Sequence, residues 1–401
     1  MPSHAAHRPV RSSRVVLILG ALSAFGPVSM DTYLPGLPEL SREIGASASE
    51  AQLTLTACLF GLAAGQLLAG PASDALGRRR PLLAGLAGFT VASLLCAAAP
   101  DVWSLIAARL LQGVAGAVGI VLARAIARDL HSGDALARFF AVLMLVNGLA
   151  PILAPIVGAQ LLHVTDWRGV FVVLAAAGLV LLVVAAVALP ETLPPERRRG
   201  GGLATTRRAF AGLLSDRRFV GYVLSCGLVF AAMFAYIAGS PFVLQEIHDL
   251  SATGFSLVFG ANAGGIMAMS AVSGRLVGRT GPARLLIAGL AVQAAGALVL
   301  LVSVLAGDGL AGVLIGLFLV VASVGLVFPN ASALALADHP DRAGSASALL
   351  GLCQFVFGAV SAPLVGVAGT GTAVPMAIVI AFSAAAAVLA YVALAGRAAF
   401  P

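Results

Sequence analysis

The sequence predicts an all-α membrane protein of twelve transmembrane helices, arranged as two six-helix, pseudo-symmetric bundles. Three observations carry this. The 401-residue chain is 60% hydrophobic and 10% charged, with a mean hydropathy of +1.02. About twelve windows of 18 or more mostly apolar residues are each long enough to cross a bilayer as a helix, and a soluble protein cannot bury so many helices that are apolar all round. One long polar break, residues 190–218, separates six of these windows from the other six.

Taken in order, residues 1–14 carry Arg8, Arg11 and Arg14 and form a cytoplasmic N-terminal segment. A basic stretch followed by an apolar one is also the pattern of a signal peptide; the length of the stretch, its lack of a convincing cleavage site and Asp31 within it argue against that. The N-terminal bundle, 15–189, holds spans at 15–36, 50–72, 81–99, 103–124, 138–162 and 168–189. The linker, 190–218, contains Pro190, Pro194, Pro195, Arg197 to Arg199 and Gly200 to Gly202, a composition suited to a flexible cytoplasmic connection. The C-terminal bundle, 219–397, holds spans at 219–243, 254–275, 283–306, 309–330, 344–367 and 373–396. The boundary at Gly307-Asp308-Gly309 separates the third and fourth of these. A faint repeat relates the halves: Gly70 and Gly77 between spans 2 and 3 match Gly274 and Gly281 between spans 8 and 9, although Asp74 of the first copy is Gly278 in the second. Two repeated halves with a site between them are the plan of many secondary transporters.

All 24 basic residues are Arg, which a GC-rich coding genome explains as well as any functional demand. The net charge of +7 does not indicate nucleic-acid binding, because the charges are sorted by side. If the spans alternate, Arg78 to Arg80, Arg128, Arg138, Arg217, Arg218, Arg275, Arg279 and most other Arg share one side. The opposite side holds Arg42 and Arg168 with Glu39, Glu43, Glu50, Asp101, Asp166, Glu246, Asp249 and Asp308. This positive-inside pattern puts both termini in the cytoplasm. Cys58, Cys96, Cys226 and Cys353 each lie in an apolar span and form no CxxC, so they read as small core residues. The six His lack metal-ligand spacing, and no cofactor or metal is expected.

Two ionisable residues stand out within the spans, Asp31 and Arg109. A charge at membrane depth costs roughly 2.5–3.5 kcal/mol on insertion scales, so it is seldom incidental. Asp31 is eight residues before Glu39 and Arg109 six after Trp103, or about 12 Å and about 9 Å from the outer helix ends. Their similar depth favours pairing. Burial favours a neutral carboxyl and a nearby guanidinium favours a charged one, while Arg keeps its proton throughout. Relative motion of the two would load or release a proton; the plainer reading is a static buried ion pair that fixes packing.

The motifs around these residues resemble one family. Gly70-Pro-Ala-Ser-Asp74-Ala-Leu-Gly77-Arg78-Arg79-Arg80 is similar to the loop motif of the major facilitator superfamily. Arg109-Leu-Leu-Gln112-Gly113 resembles the Arg-x-x-Gln-Gly motif of its proton-coupled members. Ala150-Pro151-Ile-Leu-Ala154-Pro155-Ile-Val-Gly158 is similar to its antiporter motif, with Ala154 in place of a Gly. Met30-Asp31-Thr32-Tyr33-Leu34-Pro35, Pro190-Glu191-Thr192 and Ser240-Pro241-Phe242-Val243-Leu244-Gln245 narrow the resemblance to the bicyclomycin/chloramphenicol-resistance (Bcr/CflA) branch of drug–proton antiporters. The resemblance covers nearly the whole chain. It implies the major facilitator fold and a multi-pass protein of the bacterial inner membrane. It further implies a monomer that exchanges protons for amphipathic drugs, with Asp31 and Arg109 as the coupling pair. Gly70, Asp74, Gly77, Arg78 and Asp129 would form a cytoplasmic latch favouring the outward-open state, the two glycines fitting a tight turn. Pro151, Pro155 and Gly158 would kink span 5 as a hinge or leak seal.

Candidate cargo contacts are the polar and aromatic residues within spans: Tyr33, Gln112, Asn147, Phe230, Phe234, Tyr236, Asn262, Asn330 and Gln354. Aromatic faces with a few amides suit large, mostly apolar ligands, and helix packing explains each of them as readily. Phe328-Pro329-Asn330 reads as the end of span 10. Span 1 lacks a second acid, having Ser23, Ala24 and Pro27 one or two turns before Asp31, which favours neutral or monocationic cargo over dications. Two other readings compete. A proton-coupled nutrient importer would use the same pair, and the Pro-rich span 5 favours antiport. A membrane enzyme or receptor is disfavoured by the absence of a phosphate-binding glycine loop, HExxH or Gly-x-Ser-x-Gly.

Overall fold

The computed structural model describes residues 12–130, 133–198, 210–307, 309–337, 339, 343–367, 369 and 371–395. Twelve long helices follow one another: α1 Ser12–Asp31, α2 Ala48–Leu76, α3 Arg79–Ala97, α4 Val102–Leu130, α5 Gly133–Leu161, α6 Trp167–Ala188, α7 Arg217–Phe242, α8 Ala252–Thr280, α9 Pro282–Ala306, α10 Leu310–Ala337, α11 Ala343–Leu364 and α12 Val374–Ala390. Eleven are long and apolar enough to cross a membrane within their described residues, and the 29-residue α5 completes the set. The helix starts are written in short polar residues. Ser47 and Glu50 form a reciprocal capping box on α2, Asp166 caps α6, Asp216 caps α7 and Ser251 caps α8, each supplying an acceptor to backbone N–H groups the helix cannot satisfy itself.

The halves repeat the same packing. α2 lies on α4 as α8 lies on α10; α1 contacts α4 and α5 as α7 contacts α10 and α11; α3 joins α4 and α6 as α9 joins α10 and α12. The α2–α4 contact is backbone on backbone. A Cβ at Gly61 or Gly65 would strike the carbonyls of Leu110 or Val114, and one at Gly113 the carbonyl of Cys58, the close approach that small residues permit between membrane helices. In the second half Gly325 of α10 lies in the same way against the Ile266 carbonyl of α8.

The halves meet along α2–α11 and α5–α8. Here prolines set the chemistry. Pro363 has no N–H, which frees the Ala359 carbonyl one turn earlier; Thr56 Oγ1 of α2 donates to it at 3.0 Å, and Ser49 Oγ donates to the Pro363 carbonyl at 3.0 Å. On the other seam Ser256 Oγ donates to the Pro155 carbonyl at 2.9 Å. Gln52 Nε2 to the Ala238 carbonyl, 3.0 Å, and Gln245 Nε2 to the Pro35 carbonyl, 3.2 Å, add further bonds. These contacts lie toward the end that carries Glu43 and Asp166, called the acidic end below; Arg78 and Asp129 mark the opposite, arginine-rich end.

Three local expectations are corrected. Span 1 does not run unbroken to residue 36. The α-helix stops at Asp31, and the chain continues as a 3₁₀ turn, Leu34–Gly36, and a short helix, Leu37–Glu43, because Pro35 has no N–H to donate to the Asp31 carbonyl and its ring crowds that oxygen. The outer-end depth of Asp31 therefore does not follow from counting helical residues. Gly70 is not in a turn: α2 carries through Gly70 and Pro71 to Leu76, and the left-handed turn falls at Gly77, φ +91°. Span 10 does not end at Asn330 but continues to Ala337 with Pro329 inside. The Gly325 carbonyl that Pro329 frees accepts a bond from Ser270 Oγ of α8 at 3.3 Å.

Candidate functional site

A cavity of about 350 Å³ lies between the halves. Its walls follow the seam residues in chain order toward the arginine-rich end: Leu59 and Leu62 come after Thr56 on α2, Phe259 and Ala263 after Ser256 on α8, Phe355 before Ala359 on α11 and Pro151 before Pro155 on α5. The cavity therefore sits on the arginine-rich side of the closed seam. Phe230 stacks on Phe234 and on Phe328, with ring centroids 4.8 and 5.9 Å apart, and Tyr236 stacks on Phe259 at 5.4 Å. Among the described residues Asp31 is the one carboxylate in the lining. It is the last residue of α1, so the break that follows holds it at the cavity wall.

Arg109 is fully buried but does not meet Asp31. Its guanidinium lies over the Tyr33 ring, 4.5 Å from the centroid, with Phe171 at 5.6 Å, both within cation–π range. Nη1 donates to the Ser29 carbonyl at 3.3 Å and to Gln112 Oε1. Gln112 is held in turn by Ser93 Oγ at 2.7 Å, and Tyr33 by Thr54 Oγ1 at 2.7 Å. Among the described residues no carboxylate is within ion-pairing distance of Arg109, and its Nε and Nη2 have no hydrogen-bond partner. The expected ion pair is thus two separate elements: a carboxyl on the cavity and a caged cation behind it.

The cargo candidates divide accordingly. Phe230, Phe234 and Tyr236 line the cavity. Tyr33 and Gln112 belong to the Arg109 cage. Asn262 stands behind the wall and donates to the Tyr236 hydroxyl at 3.0 Å. Asn330 braces α10 against α8 through Ser273 Oγ, 2.7 Å, and the Leu326 carbonyl, 2.7 Å. Gln354 lies beside Cys226 and is not among the residues that line the cavity. The Asn147 side chain lies outside the described residues. Sequence reasoning missed Pro27, Met30, Ile120, Met233, Phe259, Phe328 and Phe355, because nothing local distinguishes a cavity-facing apolar residue from a lipid-facing one. Gly158 serves a contact: its Cβ would collide with the Thr32 carbonyl, so it admits the break after α1 against α5.

At the arginine-rich end Arg78 bonds Asp74 at 2.6 Å and Asp129 at 3.0 Å, bringing the three together within one half. Glu191, which follows α6, completes the cluster. Its carboxylate accepts from the N–H of Arg78, 2.8 Å, Arg79, 3.2 Å, and Leu193, 3.0 Å, and a Cβ on Gly77 would strike it. Thr192 Oγ1 bonds Asp129 at 2.9 Å. Partial burial pushes the Glu191 carboxyl up, but these N–H donors and nearby Arg198 outweigh it and hold it below its ordinary value. A group held low in the folded state stabilises above its unfolded pKa, about 4.3, and loses that contribution as pH falls through its lower folded value. The anchoring is therefore constant from pH 7 to 5. Glu191→Gln at pH 7 is expected to speed tryptic cleavage at Arg197 to Arg199 several-fold, with an unchanged rate as the contrary result.

Two pseudo-symmetric membrane bundles enclosing a drug-sized cavity define a transporter of small molecules, not an enzyme. The family profile of the Major Facilitator Superfamily matches residues 17–363. The chain belongs to that superfamily. It is 41% identical to the uncharacterized MFS-type transporter YdgK of Bacillus subtilis (strain 168) over 375 residues, 92% of this chain and 93% of the relative. It is 31% identical to the bicyclomycin resistance protein homolog of Haemophilus influenzae (strain Rd) over 382 residues, 95% and 96% of the two chains. Among solved structures, an inward-facing, occupied bacterial homolog of the human lysosomal transporter Spinster superposes with a TM-score of 0.76 at 15% identity, covering 98% of each chain.

Proposed function

We propose that this protein is a proton-coupled multidrug antiporter of the bacterial inner membrane that exports amphipathic drugs such as bicyclomycin or chloramphenicol and so confers antibiotic resistance. The observation that carries the reading is Asp31, among the described residues the one carboxylate on an apolar, aromatic-walled cavity, with a buried cation behind it that has no carboxylate partner among those residues. Drug and proton would compete for that wall. Protonated Asp31 presents a neutral face; loss of the proton leaves a charge that Arg109, released from Tyr33 and Gln112, would meet. Inward proton flow supplies about 1.4 kcal/mol per pH unit and about 2.3 kcal/mol per charge per 100 mV, enough to concentrate a drug on the far side. With the arginine-rich end in the cytoplasm, both termini are cytoplasmic and the closed seam faces outward. The 31%-identical bicyclomycin resistance protein homolog supports the drug class.

The test is reconstitution in liposomes with an internal pH dye and addition of bicyclomycin or chloramphenicol. Drug-dependent proton movement supports antiport. Drug binding without proton movement counts against it and returns attention to a nutrient importer. The 2.6 Å pair of Asp74 and Arg78 lies within one half and is formed while the outer seam is closed, so it does not by itself favour the outward-open state as the motif implies; these residues would act as a latch by fixing the turn between α2 and α3. Asp74→Asn is expected to slow transport several-fold with little change in drug affinity, and an unchanged rate removes that role.

A further inference from the structure

The cavity holds one polar side chain besides Asp31. Among the described residues that line it, only Asp31 of the first half and Tyr236 of the second carry a side-chain oxygen. The register that aligns Gly70 with Gly274 aligns Asp31 with Ala235, the residue before Tyr236. The two therefore stand at similar depth on the pseudo-equivalent helices α1 and α7. Tyr236 is within electrostatic reach of Asp31. The other described ionisable side chains within that reach are Arg109 and Cys58. Arg109 is caged behind the wall, and Cys58 is packed with Leu62, Ala117 and Ile120.

The Tyr236 hydroxyl is prepared as a donor. Asn262 Nδ2 donates to its oxygen at 3.0 Å, and the ring is stacked on Phe259 at 5.4 Å. That bond uses the oxygen and leaves the hydroxyl hydrogen unspent. Ser240 lies near it, but the buried Ser240 Oγ has no partner within hydrogen-bond distance. The Asp31 carboxyl in turn accepts no hydrogen bond from a described residue. Both groups lie next to the closed outer seam. Gln52 bonds the Ala238 carbonyl, two residues beyond Tyr236, and Gln245 bonds the Pro35 carbonyl, four residues beyond Asp31. A bond between Asp31 and Tyr236 would join the halves just inside those fastenings. A charged acceptor makes such a bond about twice as strong as a neutral one, so its strength depends on the carboxyl having lost its proton.

We propose that Tyr236 guards against proton leak: when Asp31 is deprotonated and the cavity holds no drug, the Tyr236 hydroxyl donates to the Asp31 carboxylate, directly or through one cavity water, and fastens the halves with the outer seam closed. The phenol keeps its own proton, and only a hydrogen bond forms. The carboxylate has acceptor sites for both partners, Arg109 from behind and Tyr236 from the cavity. Protonation of Asp31 removes the charge that holds the bond, and a drug in the cavity separates the two groups. Only a proton-loaded or drug-loaded protein is then free to switch, which is the condition an exchanger must meet. This rests on the antiport reading above and adds the group in the second half that senses the proton. The experiment uses the full chain in liposomes with an internal pH dye and an outside-acid gradient, with valinomycin and potassium balancing charge and no drug present. The wild type stays near the rate of empty liposomes. Tyr236→Phe keeps the ring and its stack and moves protons at least about tenfold faster, the loss expected for one hydrogen bond to a charged group. Tyr236→Met, a second variant without the hydroxyl, leaks likewise, and adding Asp31→Asn to either variant abolishes the leak. A Tyr236→Phe protein as tight as the wild type overturns the proposal. So does a leak that survives Asp31→Asn, which would be a breach in the wall. Drug addition then separates the two readings. A wild type without drug-driven proton movement removes antiport, whereas a coupled wild type beside a tight Tyr236→Phe removes only the guard.

Discussion

Asp31→Asn is expected to abolish drug-driven proton movement, reducing the dye signal in liposomes to background while the protein still inserts and folds. The amide has nearly the shape of the carboxyl, so the break after α1 and the packing of Gly158 on the Thr32 carbonyl are kept. What it lacks is a proton that can come and go at membrane depth. Drug binding is expected to persist within a few-fold, because the walls that Phe230, Phe234 and Phe328 supply are apolar and contribute about 25 cal/mol per Å² of covered surface whatever the state of residue 31. Drug resistance of cells should fall to that of cells without the protein. Full resistance in Asp31→Asn would remove the carboxyl from the coupling role.

Arg109→Ala should abolish transport as completely, and Arg109→Lys should retain less than full activity, since a point ammonium cannot lie flat on Tyr33 while reaching Gln112 and Ser29. A third variant separates a switch from a packing element. Arg109 is a fully buried cation with no carboxylate within reach among the described residues and two nitrogens without partners. Burial of such a charge is costly, and apolar replacements of similar volume often stabilise. Arg109→Met is therefore expected to leave the unfolding temperature unchanged or raise it by a few degrees while transport is lost, the pattern of a residue retained for function at the expense of stability. A fall of many degrees in Arg109→Met would identify Arg109 as a structural centre instead.

Much of the architecture is legible in the chain because the physics that sets it is local. Long apolar runs give the spans, Ser47, Asp166, Asp216 and Ser251 announce helix starts, and Gly307 stops α9 in a left-handed turn. The continuation of α10 through Pro329 is hidden, because the residue that satisfies the freed carbonyl, Ser270, is 55 positions away. Asp31 and Arg109 stand out as charges in apolar surroundings, yet their separation is not readable. It depends on a competition between a carboxylate and the ring of Tyr33, which only the folded break after α1 brings over the guanidinium. Glu191 is visible as part of a motif, but its work, closing the backbone N–H groups of Arg78 and Arg79, is settled across more than a hundred residues of intervening chain. Lipid-facing Leu111 and cavity-facing Leu62 are the same residue type, and only tertiary placement separates them.

The contrast between glycine contacts and hydroxyl contacts sets a mechanical hierarchy. Within the first half, α2 and α4 interlock through backbone that no side chain can bridge or lubricate, so sliding one past the other would open voids along their length. Across the seams, Thr56, Ser49 and Ser256 each hold a proline-turn carbonyl by a neutral hydrogen bond, worth about 1 kcal/mol net because water can replace it. Each exchange with water is nearly isoenergetic, and the ridge of prolines leaves acceptors ready on both sides of the crack. The molecule is accordingly stiff where its helices interlock and compliant where its halves touch. It should yield along one line, unfastening stitch by stitch in thermal fluctuation, while each bundle turns as a solid piece.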